Sequence, residues 1–191
     1  RSADGAANKI PAGMTKADYM EMMVNRCLIE DDDFDMLVMG RTQGKGCYCF
    51  VNGLLQAQLA KLTPNYPYMV VDNEAGMEHI SRGILPKVDT IILVSDCSRR
   101  GVQAVGRIRD LIEECQLNPT SIGLIVNRAP DGTLNAGTME EIEKQGLTLL
   151  GVVPQDATVY EYDCDGKPTT QLPADSPVRQ ALYRVLDKLN F

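Results

Sequence analysis

Cys47 and Cys49 are separated by one residue in the segment Gly44-Lys45-Gly46-Cys47-Tyr48-Cys49. That spacing lets both sulfurs turn toward one soft cation. A tetrahedral site takes about four ligands, and the chain holds no second close Cys pair or Cys/His pair. A second copy related by a two-fold axis would supply the other two, because an isologous contact presents the same patch from both partners. The competing reading is two small buried thiols at a tight turn, and the spacing alone leaves both open.

Two other segments have chemistry-bearing patterns. Gly40-Arg41-Thr42-Gln43-Gly44-Lys45-Gly46 imitates a G-x-x-x-x-G-K-[ST] phosphate loop but fails in detail. Its glycines are one residue too close, and Gly46 stands where a magnesium-binding hydroxyl is required. These glycines are better read as freeing the backbone to present the two cysteines. Asp72-Asn73-Glu74-Ala75-Gly76 places a carboxylate after an apolar run, with a glycine shortly beyond. A nucleotidase uses that arrangement to hold magnesium and its waters while a backbone N–H senses the terminal phosphate; an aspartate capping a following helix is the simpler alternative. His79, the only histidine, reads as structural. So do Cys27, Cys115 and Cys164, while Cys97 sits at a strand end on the presumed ligand side without an assigned role.

The elements that must position these residues alternate along the chain. Thr15 and Asp18 resemble a capping box opening a helix through Tyr19, Met23 and Cys27. Apolar runs at 36–39, 68–71, 90–94, 122–126 and 149–153 read as strands. Between them lie helical patterns through Phe50, Leu55, Leu59 and Leu62, through Val102, Val105, Ile108, Leu111 and Ile112, and over 139–145. A last helix from about Val178 to Leu189 shows Val178, Leu182, Val185, Leu186 and Leu189 on one side. Its mixed charge favours packing on the domain over lying on a membrane. Continuous apolar strands alternating with helices predict an α/β, doubly wound, mainly parallel sheet flanked by helices. Ligands of such sheets gather at the carboxyl ends of the strands.

At 191 residues the chain suits a single domain spanning 1–191. With 19 basic against 26 acidic residues and a formal charge of -7, it is ill suited to gripping nucleic-acid phosphates or an anionic membrane. No apolar stretch approaches the roughly 20 residues that span a bilayer. Six cysteines fall short of a disulfide scaffold, so a cytoplasmic, reducing setting is expected. The chain opens on Arg1 and not Met, which reads as N-terminally incomplete.

Together, Ile10-Pro11-Ala12-Gly13-Met14, Gly40-Arg41, Gly46-Cys47-Tyr48-Cys49, Asp72 through His79, Ser95-Asp96 and Val126-Asn127-Arg128 resemble the CooC-type accessory ATPases that help insert nickel into carbon monoxide dehydrogenase. These are similar in plan to MinD/ParA-like P-loop ATPases and to the nitrogenase iron protein. The resemblance covers nearly the whole chain, and its Cys-x-Cys and Asp-x-Glu-Ala-Gly-x-Glu-His strings are its specific parts. It implies that Cys47 and Cys49 of two subunits hold nickel or zinc in a homodimer. Asp72 would be the switch carboxylate at magnesium or at the attacking water, with Gly76 near the terminal phosphate of ATP. Asn127 and Arg128 would flank the adenine on one side, and Pro154, Gln155 and Asp156 would meet it on the other.

The family's phosphate loop and first strand are expected to precede Arg1. Residues 1–191 alone are therefore not expected to hydrolyse ATP, and the strands beside the first one should show bare edges. The leading expectation is a nucleotide-switched metallochaperone serving a client such as carbon monoxide dehydrogenase. The alternatives are a catalytically silent interaction module and an ATPase of the same group serving another metalloenzyme.

Overall fold

Thr15 opens the first helix in the way its spacing from Asp18 predicts. Its Oγ1 accepts from the Asp18 backbone N–H at 3.2 Å and donates to the Asp18 carboxylate at 2.6 Å, satisfying a donor that the first turn leaves orphaned. The computed structural model describes residues 10–38, 48–73 and 87–189. It divides into two compact units, Arg1–Pro86 and Lys87–Phe191.

In the first unit, α1 (Lys16–Asn25) buries Tyr19. A short antiparallel pair follows, β1 (Ile29–Glu30) with β2 (Asp35–Met36), and the Tyr66 hydroxyl donates to Asp35. That hydrogen bond to Asp35, helped by burial and by the charge of Asp35, raises the Tyr66 pKa. The next helix, α2, spans Tyr48–Leu62. Leu55, Leu59 and Leu62 are half-buried, and Gln58, three and four residues from Leu55 and Leu62 on the same stripe, is buried.

Two expected strands are corrected here. Of the run 36–39, only Met36 joins a ladder, in the hairpin, and Met36 and Val38 are exposed; Met39 lies outside the described residues. The run 68–71 forms no strand, and Val70 is 93% exposed. A continuous apolar strand is stable when neighbours pair its edges and layers cover its faces. Among the described residues no strand pairs with 68–71.

The second unit carries the α/β pattern. Its elements run β3 (Thr90–Ser95), α3 (Arg99–Glu114), β4 (Ser121–Ala129), α4 (Ala136–Lys144), β5 (Leu149–Pro154), α5 (Ala157–Cys164) and α6 (Pro177–Leu186). The three strands are parallel in the order β3-β4-β5. Leu93 pairs with Leu124 and Val94 with Ile125, so the two-residue side-chain period assigns Leu93 and Leu124 to one face and Val94 and Ile125 to the other. On the second face, Ile125 and Val153 form a core with Ala181 and Val185 of α6, bordered by Leu150, Val178 and Leu189. On the helix between β3 and β4, Val102, Val105 and Ile112 are buried, as their spacing predicts.

Leu182 and Leu186 depart from expectation, being exposed. The buried line of α6 runs through Ala181 and Val185, and each of these leucines lies about 100° around the helix from it. The other edge of β3 pairs with no strand among the described residues, and Val94 is 59% exposed.

Candidate functional site

Because β3, β4 and β5 are parallel, their carboxyl ends share one edge of the sheet. At the end of β3, one oxygen of Asp96 accepts from the Ser98 backbone N–H at 2.9 Å and from its hydroxyl at 2.6 Å. Ser98 Oγ in turn accepts from the Gly101 N–H at 3.0 Å, capping α3. These bonds favour the ionised form, and the Ser98 hydroxyl followed by its N–H holds the Asp96 carboxyl below its usual range. Gly101 permits this close seating, since a Cβ there would fall 2.3 Å from Asp96 Oδ1 and 2.7 Å from Ser95 Oγ.

At the end of β4 the ladder with β5 slips between Val126 and Ala129. Asn127 and Arg128 occupy the irregularity, and Arg128 adopts φ 57°, a left-handed conformation uncommon for a residue with a side chain. Asn127 Oδ1 accepts from the Arg128 N–H at 2.9 Å, leaving the Asn127 NH2 group as a donor. Pairing resumes at Ala129 with Pro154, and the Gln155 N–H donates to the Ala129 carbonyl at 2.9 Å. Asp156 caps α5 through the Thr158 N–H at 2.8 Å.

Beside this edge lies α4, capped by Asn135 through the Thr138 N–H at 2.8 Å. Its inner side carries two buried polar residues, Thr138 and Glu141. Thr138 Oγ1 donates to the Cys97 carbonyl at 2.8 Å. The Glu141 side chain, 1% exposed, accepts from Arg99 Nη2 at 3.1 Å and Nε at 3.4 Å, and from Gln145 Nε2 at 2.9 Å. Gln145, then Arg99, Gln103 and Lys144, hold the Glu141 pKa low against the opposing effect of burial.

The structure thus brings five residues singled out in the sequence, Asn127, Arg128, Pro154, Gln155 and Asp156, to one sheet edge. Asp72 is exposed at the end of the unpaired run in the first unit. Gly76, His79 and Cys47 lie outside the described residues, as does the side chain of Cys49, whose backbone occupies the first turn of α2. Among the described residues no group of three or more His, Cys, Asp or Glu could hold a metal ion, and no helix is long and apolar enough to cross a membrane.

Arg99, Thr138 and Glu141 were not anticipated. The spacing of Asn135 and Thr138 signals a helix cap, but periodicity gives no reason to bury a glutamate. Chemically, the edge offers an amide donor on Asn127, a guanidinium plane on Arg128 and an apolar ring on Pro154. That set suits a flat, uncharged heterocycle with hydrogen-bonding edges, as a nucleotide base presents.

No protein-family model matches the chain. An ATP-binding protein of Methanocaldococcus jannaschii is 35% identical over 187 residues, covering 95% of this chain and 72% of the relative. The carbon monoxide dehydrogenase accessory protein CooC of Rhodospirillum rubrum is 27% identical over 145 residues, covering 69% of this chain and 49% of that protein. Among solved structures, the septum site-determining protein MinD complexed with Mg-ADP from Pyrococcus horikoshii superposes with a TM-score of 0.68 at 15% identity, over 96% of this chain and 76% of that one. That likeness establishes the fold that the parallel sheet and its flanking helices describe. The identity to the archaeal relative shows that the chain belongs to that protein's family of ATP-binding proteins, and its fold is the one that MinD adopts.

Proposed function

We propose that this chain belongs to a single-domain, nucleotide-switched metallochaperone that binds adenine nucleotide with magnesium and delivers nickel or zinc to a client metalloenzyme. A carbon monoxide dehydrogenase is the client that the CooC relative suggests. In this reading the base lies at the shared carboxyl edge, bordered by Asn127 and Arg128 on one side and by Pro154, Gln155 and Asp156 on the other. Asp72 is the switch carboxylate, Gly76 meets the terminal phosphate, and ATP hydrolysis belongs to the protein that also carries a phosphate loop. Cys47 and Cys49 from two copies hold the cargo ion in a homodimer.

The observation that carries the metal reading is the Cys-x-Cys pair of Cys47 and Cys49 in the sequence. The pair has no second thiol or imidazole pair in the chain to complete four ligands. Native mass spectrometry after incubation with nickel or zinc tests this. A dimer with one ion per two chains is expected, and Cys47→Ser with Cys49→Ser should abolish the ion. Equal metal content in that double variant would sink the proposal.

A further inference from the structure

We propose that Thr138 is a positioning residue for the nucleotide-base edge, acting through Cys97 on the backbone of Arg128; this rests on the reading that the base lies at that edge. The path is continuous within the second unit. Thr138 Oγ1 holds the Cys97 carbonyl at 2.8 Å, and Cys97 Sγ stands 4.0 Å from the Arg128 carbonyl oxygen. Arg128 adopts φ 57°, a conformation that persists only where its surroundings over-determine it. The turn between β3 and α3 is therefore part of what holds Asn127 and Arg128 in place, and α4 holds that turn.

The Arg99–Glu141 pair makes the same link two residues further along the turn. Its residue types are poorly chosen for stability alone. Arg99 and Arg100 begin α3, whose first turn has no acidic residue, and cations there oppose the helix dipole. A buried ion pair can often be exchanged as a whole for well-packed apolar residues at no loss of stability. What the pair does achieve is a fixed orientation of the first turn of α3 against α4. The hydroxyl of Thr138, itself fully buried, extends that clamp to Cys97.

The test uses the intact protein and three probes: ADP, GDP and inorganic tripolyphosphate. Thr138→Val, which keeps the shape and removes the hydroxyl, should weaken ADP binding about fivefold, the equivalent of one neutral hydrogen bond. Tripolyphosphate binding should be unchanged, so the preference for ADP over GDP narrows. Thr138→Ser restores the donor and should stay within about twofold of the unaltered protein. If Thr138→Val does not fold, Thr138→Ala carries the same expectation.

Asn127→Ala separates the two ideas. A base preference that narrows in Asn127→Ala but not in Thr138→Val overturns the positioning role and leaves the base edge standing. A preference indifferent to Asn127→Ala, or missing in the unaltered protein, removes the base reading and the positioning role with it. Equal losses for ADP and tripolyphosphate in Thr138→Val also overturn the proposal, because they mark a general loosening.

Discussion

Adding one methyl group at Gly123 should destabilise the sheet unit measurably. Gly123 lies in β4, the strand that carries Asn127 and Arg128 near its carboxyl end, and is buried. A Cβ built there stands 2.3 Å from Leu150 Cδ1, 2.4 Å from its Cγ and 2.9 Å from its Cδ2. Carbon atoms pack at about 3.5–4.0 Å, so all three atoms are too close and the whole branch of Leu150 must move. It has little freedom to do so, because Leu150 borders the cluster of Ile125, Val153, Ala181 and Val185. Overpacking of this kind costs about 1–3 kcal/mol, offset by about 0.4–1 kcal/mol from the reduced entropy of the unfolded chain. The net expectation for Gly123→Ala is a loss of about 1–2 kcal/mol. In urea, with a slope of about 1–3 kcal/mol per molar, the midpoint should fall by about 0.5–1 M. Leu150→Ala removes the obstruction, so the double variant should be more stable than the sum of the single losses by about 1 kcal/mol. An unchanged midpoint in Gly123→Ala, or strict additivity with Leu150→Ala, would refute the packing argument.

Asn135→Ala removes the side-chain acceptor for the Thr138 N–H and should cost about 1 kcal/mol in the same urea assay, whereas Asn135→Asp should retain most of it. The carboxyls of Asp96 and Glu141 are held below their ordinary range in the folded protein. Their contribution is therefore complete above the unfolded carboxylate pKa and is lost as pH falls through the depressed folded values. Stability should decline below about pH 4, and Asp96→Asn should flatten part of that decline in acid titrations followed by circular dichroism.

How much was legible beforehand differs between the two units. In the second unit, the runs 90–94, 122–126 and 149–153 became strands with nearly those bounds. Each is a short apolar run bounded by polar caps, and each has a paired neighbour in the structure. In the first unit, the run 36–39 pairs only through Met36, in the short hairpin, among its described residues, and the equally apolar run 68–71 forms no strand. Strand formation is a property of the pairing partners as much as of the residues themselves, and composition is blind to partners. The same blindness misjudged α6, where Leu182 and Leu186 looked as apt for burial as Val185.

The residue pattern by itself determined the helix start at Thr15, because a cap bonds within two or three residues, and it determined the alternation that makes a parallel sheet, whereas the helix expected over 139–145 begins at Ala136, after the Asn135 cap. It also singled out Asn127, Arg128 and the stretch Pro154 to Asp156, although they lie almost thirty residues apart, through resemblance to known ATPases. Only the tertiary structure decided that they share an edge with Cys97 and Thr138, that Arg128 is held in a left-handed conformation, and that Glu141 is buried against Arg99. Those facts depend on contacts across 31, 41 and 42 residues of chain. Local propensity acts over a few residues, so contacts of that span are selected by packing the whole sheet and its helices at once.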